Sequence, residues 1–126
     1  TSAALCFALM LIARHSEVQE SIVAEMREVL GDLSKKPSYN DLQNLKYLER
    51  CIKETLRLYP SVHFISRTLG QDLITTGGYT LPKESNAIIH IYDVHRNADI
   101  YPDPEKLDPD RFLPENVQKR HPYAYL

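Results

Sequence analysis

The chain opens on an unbroken apolar run. Residues 3–13, AALCFALMLIA, predict a helix over residues 1–14 that is apolar on nearly all sides, as a central, buried helix is. Eleven residues fall short of the roughly 18–20 that cross a bilayer, so burial in protein is the expectation. Ser16, with Gln19 three residues on, reads as a capping box for a second helix over 17–30. Val18, Ile22, Met26 and Val29 give that helix one apolar face, and Gly31 closes it. A loop over residues 32–38 leads to a further cap, Ser38 with Asp41, and a short helix. The next helix is predicted over 45–59, with an apolar stripe of Leu48, Ile52, Thr55, Leu56 and Tyr59, and Pro60 stops it.

Beyond Pro60 the period shortens. Residues 62–69 and 72–75 read as short strands, Gly77-Gly78 as a hairpin turn, and 87–95, rich in β-branched residues, as a further strand. After Arg96 come Pro102, Pro104, Pro109, Pro114 and Pro122, which exclude long regular elements. The expected fold class is mainly α with a small β-sheet and a proline-rich meander.

Composition adds exclusions. The 126 residues carry a net charge of -2, and neither half is basic, so no footprint for nucleic acid is present. Two cysteines, Cys6 and Cys51, do not make a disulfide framework. The chain begins without Met next to an apolar helix and stops at HPYAYL, so an interior piece of a longer protein, one incomplete domain over 1–126, is expected.

The chemistry lies in two short motifs. Glu54 and Arg57 are three apart on a helix, and alone they read as a solvated pair worth a few tenths of a kcal/mol. Some fifty residues later comes PDRF, residues 109–112, containing Arg111. Glu-x-x-Arg followed at that distance by a Pro-Glu-Arg-Phe-like motif resembles the cytochrome P450 family of haem-thiolate monooxygenases. Asp110 stands where Glu is commoner. The resemblance extends over the whole chain: the apolar helix resembles the end of the family's central helix, SVHFISRTL the strand beside the haem, GYTLPK its hairpin, and HRNADIYPDP and PEKLDPDRF the segments before the haem loop. The wording is most similar to the family-4 branch, microsomal enzymes that include fatty-acid ω-hydroxylases.

The resemblance implies roles residue by residue. Glu54, Arg57 and Arg111 would form a structural node supporting the haem site, with the carboxylate held between two guanidinium forks. Arg67 would contact a haem propionate, although by itself it reads as a surface strand arginine. Val62, His63, Phe64 and Ile65 are substrate-pocket candidates; without the resemblance, the apolar ones among them read as ordinary core. Thr1 reads as a plain helix threonine, with the proton-handling Thr of the family's acid-Thr pair falling one residue before it. Neither Cys6 nor Cys51 lies in a Gly-rich loop that would stabilise a thiolate, so the axial cysteine is expected beyond Leu126. His90 and His95, five apart on the predicted strand, would point to opposite faces and make a poor metal site; His95-Arg96 matches a family position and reads as structural.

The function implied by the resemblance is that of a fragment, inactive alone, of a monooxygenase that inserts one oxygen of O2 into a lipophilic substrate such as a fatty acid or xenobiotic. Its cofactor would be haem b, its electrons would come from NADPH through a reductase, and its place would be the cytosolic face of the endoplasmic reticulum membrane, reached through regions outside this segment. Two alternatives stand beside it: a non-catalytic binding protein of the same fold, and an unrelated helical and β-hairpin interaction module.

Overall fold

A computed structural model describes residues 1–34 and 36–126; the part of the expected 32–38 loop at Lys35 lies outside the described residues. Four helices come first: α1 (Ser2–Arg14), α2 (Ser16–Leu30), α3 (Tyr39–Asn44) and α4 (Lys46–Leu58). Val18 and Ile22 of α2 pack on Cys51 of α4, with Ile12, Met26, Tyr47, Leu48 and Leu107 around them. Phe7 of α1 stacks on Tyr59 with ring centroids 4.5 Å apart. No helix among the described residues is long and apolar enough to cross a membrane.

Helix ends show where local chemistry decides. The Ser38–Asp41 capping box forms as expected, and its hydrogen bonds hold the exposed Asp41 carboxyl below its usual range. Gly31 closes α2 at φ 64, its N–H donating to the Arg27 carbonyl. The Ser16 cap does not form. His15 is the N-cap of α2 and Ser16 is already helical, because a single residue joins α1 to α2 and the His15 ring is tied back to the Leu11 carbonyl at 2.9 Å. The N-cap of α4 is Leu45, whose side chain cannot accept a hydrogen bond. Its first N–H groups are satisfied from α2 instead: Tyr47 and Leu48 donate to the Glu25 carboxylate at 2.6 and 2.9 Å.

The stripe expected on α4 is also corrected. Ile52 is 48% exposed, and the buried face is Cys51, Glu54, Thr55, Arg57 and Leu58. An apolar residue marks the buried face only if the polar ones lack partners there, and Glu54 and Arg57 have them.

After Pro60 the chain forms two separate two-stranded antiparallel sheets rather than one. β1 (Phe64–Thr68) pairs with β4 (Asn86–His90), Phe64 facing His90 and Arg67 facing Ala87. β2 (Leu73–Ile74) pairs with β3 (Thr80–Leu81) across the turn at Gly77-Gly78. The strand expected over 87–95 stops at His90, and Ile91–Val94 is a helical turn, α5. Asp93, a poor strand residue, bonds the His90 ring at 2.6 Å, and the turn buries Ile91. His90 and His95 are therefore not on one strand: His90 is exposed and His95 is fully buried. The meander carries only short pieces, a 3-10 turn (Pro109–Phe112), α6 (Pro114–Val117) and a second 3-10 turn (Pro122–Ala124), each with Pro in its first turn.

Candidate functional site: a buried carboxylate clamp

Helix α4 brings Glu54 and Arg57 onto one side, and both are fully buried. The Arg57 fork grips the carboxylate at both oxygens, Nε to Oε2 at 2.7 Å and Nη2 to Oε1 at 2.8 Å. The other guanidinium edge reaches into the meander. Nη1 donates to the His95 carbonyl at 2.8 Å and Nη2 to the Lys106 carbonyl at 3.2 Å. The Tyr101 ring, also fully buried, lies with its centroid 5.1 Å from the Arg57 guanidinium. A planar guanidinium with five donors can serve this many acceptors at once, and an ammonium cannot.

Arg111 joins the pair, but not as a second fork. Its Nε stands 3.5 Å from Glu54 Oε1 and makes no hydrogen bond. Oε1 already accepts from Arg57 and from the Asp108 N–H at 2.9 Å, so both its lone pairs are occupied. Arg111 Nη2 instead donates to the Asp103 carbonyl at 2.9 Å. Asp110, where Glu is commoner, lies 3.4 Å from Arg50 on α4, an additional tie between helix and meander. Arg120 closes the far side, donating to the Arg111 carbonyl at 2.6 Å, with its guanidinium 4.9 Å from the Tyr101 ring centroid.

The residues missed by sequence reasoning are mostly backbone groups: the carbonyls of His95, Asp103 and Lys106 and the N–H of Asp108. They carry no side-chain signal, since every residue has a carbonyl and all but proline an N–H. Tyr101 had one weak sign, an aromatic residue directly before Pro-Asp-Pro.

The other candidates lie apart from the clamp. Arg67 on β1 is exposed, and the one hydrogen bond of its side chain among the described residues is to the adjacent Ser66 carbonyl at 2.8 Å. Val62, His63 and Phe64 are exposed and Ile65 half-buried; the His63 and Tyr92 rings are 6.1 Å apart. Thr1 is the exposed N-cap of α1 and makes no side-chain cap bond. Cys6 is exposed, while Cys51 is buried, which pushes its thiol up to about 11 and suits a neutral core group rather than a thiolate. Among the described residues no cluster of three or more His, Cys, Asp or Glu could hold a metal ion.

The chain that carries this clamp is similar in sequence and in fold to known proteins. The sequence model of the family described as Cytochrome P450 matches residues 1–126. The chain is 48% identical over 124 residues to the probable cytochrome P450 4aa1 of Drosophila melanogaster, covering 98% of this chain and 24% of that protein. It is 45% identical over 126 residues to cytochrome P450 4V2 of Mus musculus, covering 100% of this chain and 24% of that protein. The chain thus spans about a quarter of the length of the curated relatives it matches. Among solved structures, a retinoic acid bound cyanobacterial CYP120A1 superposes with a TM-score of 0.88 at 33% identity, over 98% of this chain and 28% of that one. With the family model matched end to end and the fold reproduced, the chain belongs to the cytochrome P450 family.

Proposed function

We propose that this chain is part of a haem-thiolate monooxygenase acting on a lipophilic substrate, and that it supplies the support of the haem site rather than the reacting groups. The observation that carries this reading is the fully buried Glu54–Arg57 fork, bonded at the same time to α4 and to the meander through Asp108, His95 and Lys106. A charge pair this deep is expensive to desolvate, and here it ties α4 to the backbone of the meander.

The residues fit such a cofactor. Haem b is a largely apolar disc with two carboxylates. Arg67 offers a guanidinium with most of its donors uncommitted among the described residues, and Val62 and Phe64, earlier in the same segment, are exposed and apolar. In the proposed roles Arg67 holds a propionate, Val62, His63, Phe64 and Ile65 border the substrate, and Glu54, Arg57 and Arg111 fix the meander. The axial cysteine is assigned to sequence beyond Leu126. When bound, the haem would supply O2 activation, one oxygen entering a C–H bond and the other leaving as water. Electrons from NADPH through a reductase, a site on the cytosolic face of the endoplasmic reticulum and a fatty acid or xenobiotic substrate belong to the same proposal. Retinoic acid, an apolar carboxylic acid bound by the structural relative, supports the lipophilic class.

The test is to express the full-length protein containing this segment and record its reduced-CO absorbance spectrum, then its NADPH-dependent oxygenation of a long-chain fatty acid with a reductase present. A thiolate-type band and a hydroxylated product are expected. Absence of a cysteine in a Gly-rich loop after Leu126, together with no haem uptake, would leave a non-catalytic binding protein of the same fold.

A further inference from the structure

His95 does two jobs that the clamp alone does not explain. Its carbonyl accepts Arg57 Nη1 at 2.8 Å, so its backbone is part of the clamp. Its ring faces the other way, onto residues 124–126. The Leu126 N–H donates to His95 Nε2 at 3.1 Å. The Tyr125 ring stacks on the imidazole with centroids 5.0 Å apart and planes 11° apart, and Phe112 meets Tyr125 edge-on at 4.9 Å. The Tyr125 hydroxyl donates to the Lys53 carbonyl at 3.2 Å, and the Ala124 carbonyl accepts the Tyr101 hydroxyl at 3.0 Å. Three consecutive residues are thus each pinned to the clamp or its helix, and the last pin is a histidine nitrogen.

That nitrogen must be unprotonated to accept an N–H, so the neutral ring carries its hydrogen on Nδ1. Full burial favours the neutral form and holds the pKa below its usual value, with the Arg57 and Arg96 charges acting in the same direction against backbone groups of Arg57 and Leu56. The side chain is therefore a fixed acceptor, set by the same backbone that receives Arg57.

We propose that His95 is a positioning residue, one that links the Glu54–Arg57 clamp to the backbone at Leu126 and sets the direction of the chain as it leaves Tyr125. Resting on the monooxygenase reading, its purpose is to aim the following segment at the iron, so that clamp and axial ligand share one frame of reference.

The experiment uses the full-length protein in three forms: wild type, His95→Phe, which keeps a flat ring for Tyr125 and removes the acceptor, and His95→Gln, whose amide oxygen reaches the place of Nε2. Amide hydrogen exchange at Leu126 is one readout and the reduced-CO spectrum is the other. In His95→Phe the Leu126 amide should exchange about tenfold faster, equivalent to about 1.4 kcal/mol, and the thiolate-type band should give way to one lacking thiolate ligation, with haem content retained. His95→Gln should restore both. Unchanged exchange and spectrum in His95→Phe overturn the proposal, and so does a His95→Gln protein as impaired as His95→Phe.

If His95→Phe does not accumulate, Leu126→Pro deletes the donated N–H while leaving His95 intact. Tyr125 already has the extended backbone (φ -121, ψ 123) that a following proline requires. The same loss of the thiolate-type band, with faster exchange at Tyr125, is then expected, and no change in either overturns the proposal. A wild type that takes up no haem defeats the monooxygenase reading alone, and the exchange comparison still decides the role of His95.

Discussion

The Glu54 carboxylate has two oxygens and three suitors, and how closely each is held predicts how the clamp fails. Arg57 holds both oxygens and two meander carbonyls, while Arg111 reaches the carboxylate only as an ion pair at 3.5 Å. Arg57→Lys can keep at most part of this set, leaving a buried carboxylate short of donors at a cost of about 3–5 kcal/mol. Arg111→Lys keeps the positive charge near Glu54 and gives up at most the carbonyl bond to Asp103, about 2 kcal/mol or less. In the full-length protein, Arg57→Lys should abolish stable haem incorporation and Arg111→Lys should only lower the denaturation midpoint, as read by reduced-CO spectra and urea melts. Equal losses in the two variants would refute the ranking. The members of this site were legible in the sequence because Glu-x-x-Arg and PDRF are side-chain patterns. Their ranking was not, because the group that displaces Arg111 from the fork is the N–H of Asp108.

At the scale of elements, the turn between β2 and β3 carries its own strain test. Gly78 sits at φ 80, a conformation that an L side chain adopts only with strain, while a Cβ added there would meet nothing within 4 Å. Gly78→Ala is therefore a purely backbone change, destabilising the hairpin by about 1 kcal/mol. Faster amide exchange at Thr75 and Tyr79, whose hydrogen bonds close this turn, with haem content unchanged, is the expected result. Slower or equal exchange would show that the turn tolerates a side chain. This hairpin was readable from Gly77-Gly78, as were α2 from its apolar spacing and the Ser38–Asp41 cap. Elements were misread where the deciding partner lies far along the chain. Glu25 starts α4 from 22 residues away, and the clamp turns a polar face of α4 inward and leaves Ile52 in solvent. The β-branched run over 87–95 gave way to α5 because burying Ile91 and inserting His95 outweighed strand preference.

At the scale of the whole molecule, surface area decides whether these 126 residues suffice for a stable fold. Their accessible surface is 9054 Å² at 14.5 kDa, whereas a compact monomer of that mass exposes about 6,900 Å². The excess, roughly 2,200 Å², has apolar contributors that fall in identifiable places: Leu5 and Leu9 on α1 are 59% and 67% exposed, Phe64 on β1 55% and Ile88 on β4 62%. A helix as apolar as α1 gains little by folding when only Leu11 among its residues is buried. Meanwhile the clamp still carries the desolvation cost of Glu54 and Arg57. Local order and global stability therefore part company here. The isolated segment is expected to bind a hydrophobic dye and to melt over a broad range without a calorimetric peak, although α2 and α4 contribute helical circular dichroism. A sharp two-state transition whose calorimetric and van't Hoff enthalpies agree would show that the clamp and the small Val18–Ile22–Cys51 core are enough on their own. The uncovered faces of α1, β1 and β4 would then need a different explanation from contact with the rest of a haem protein.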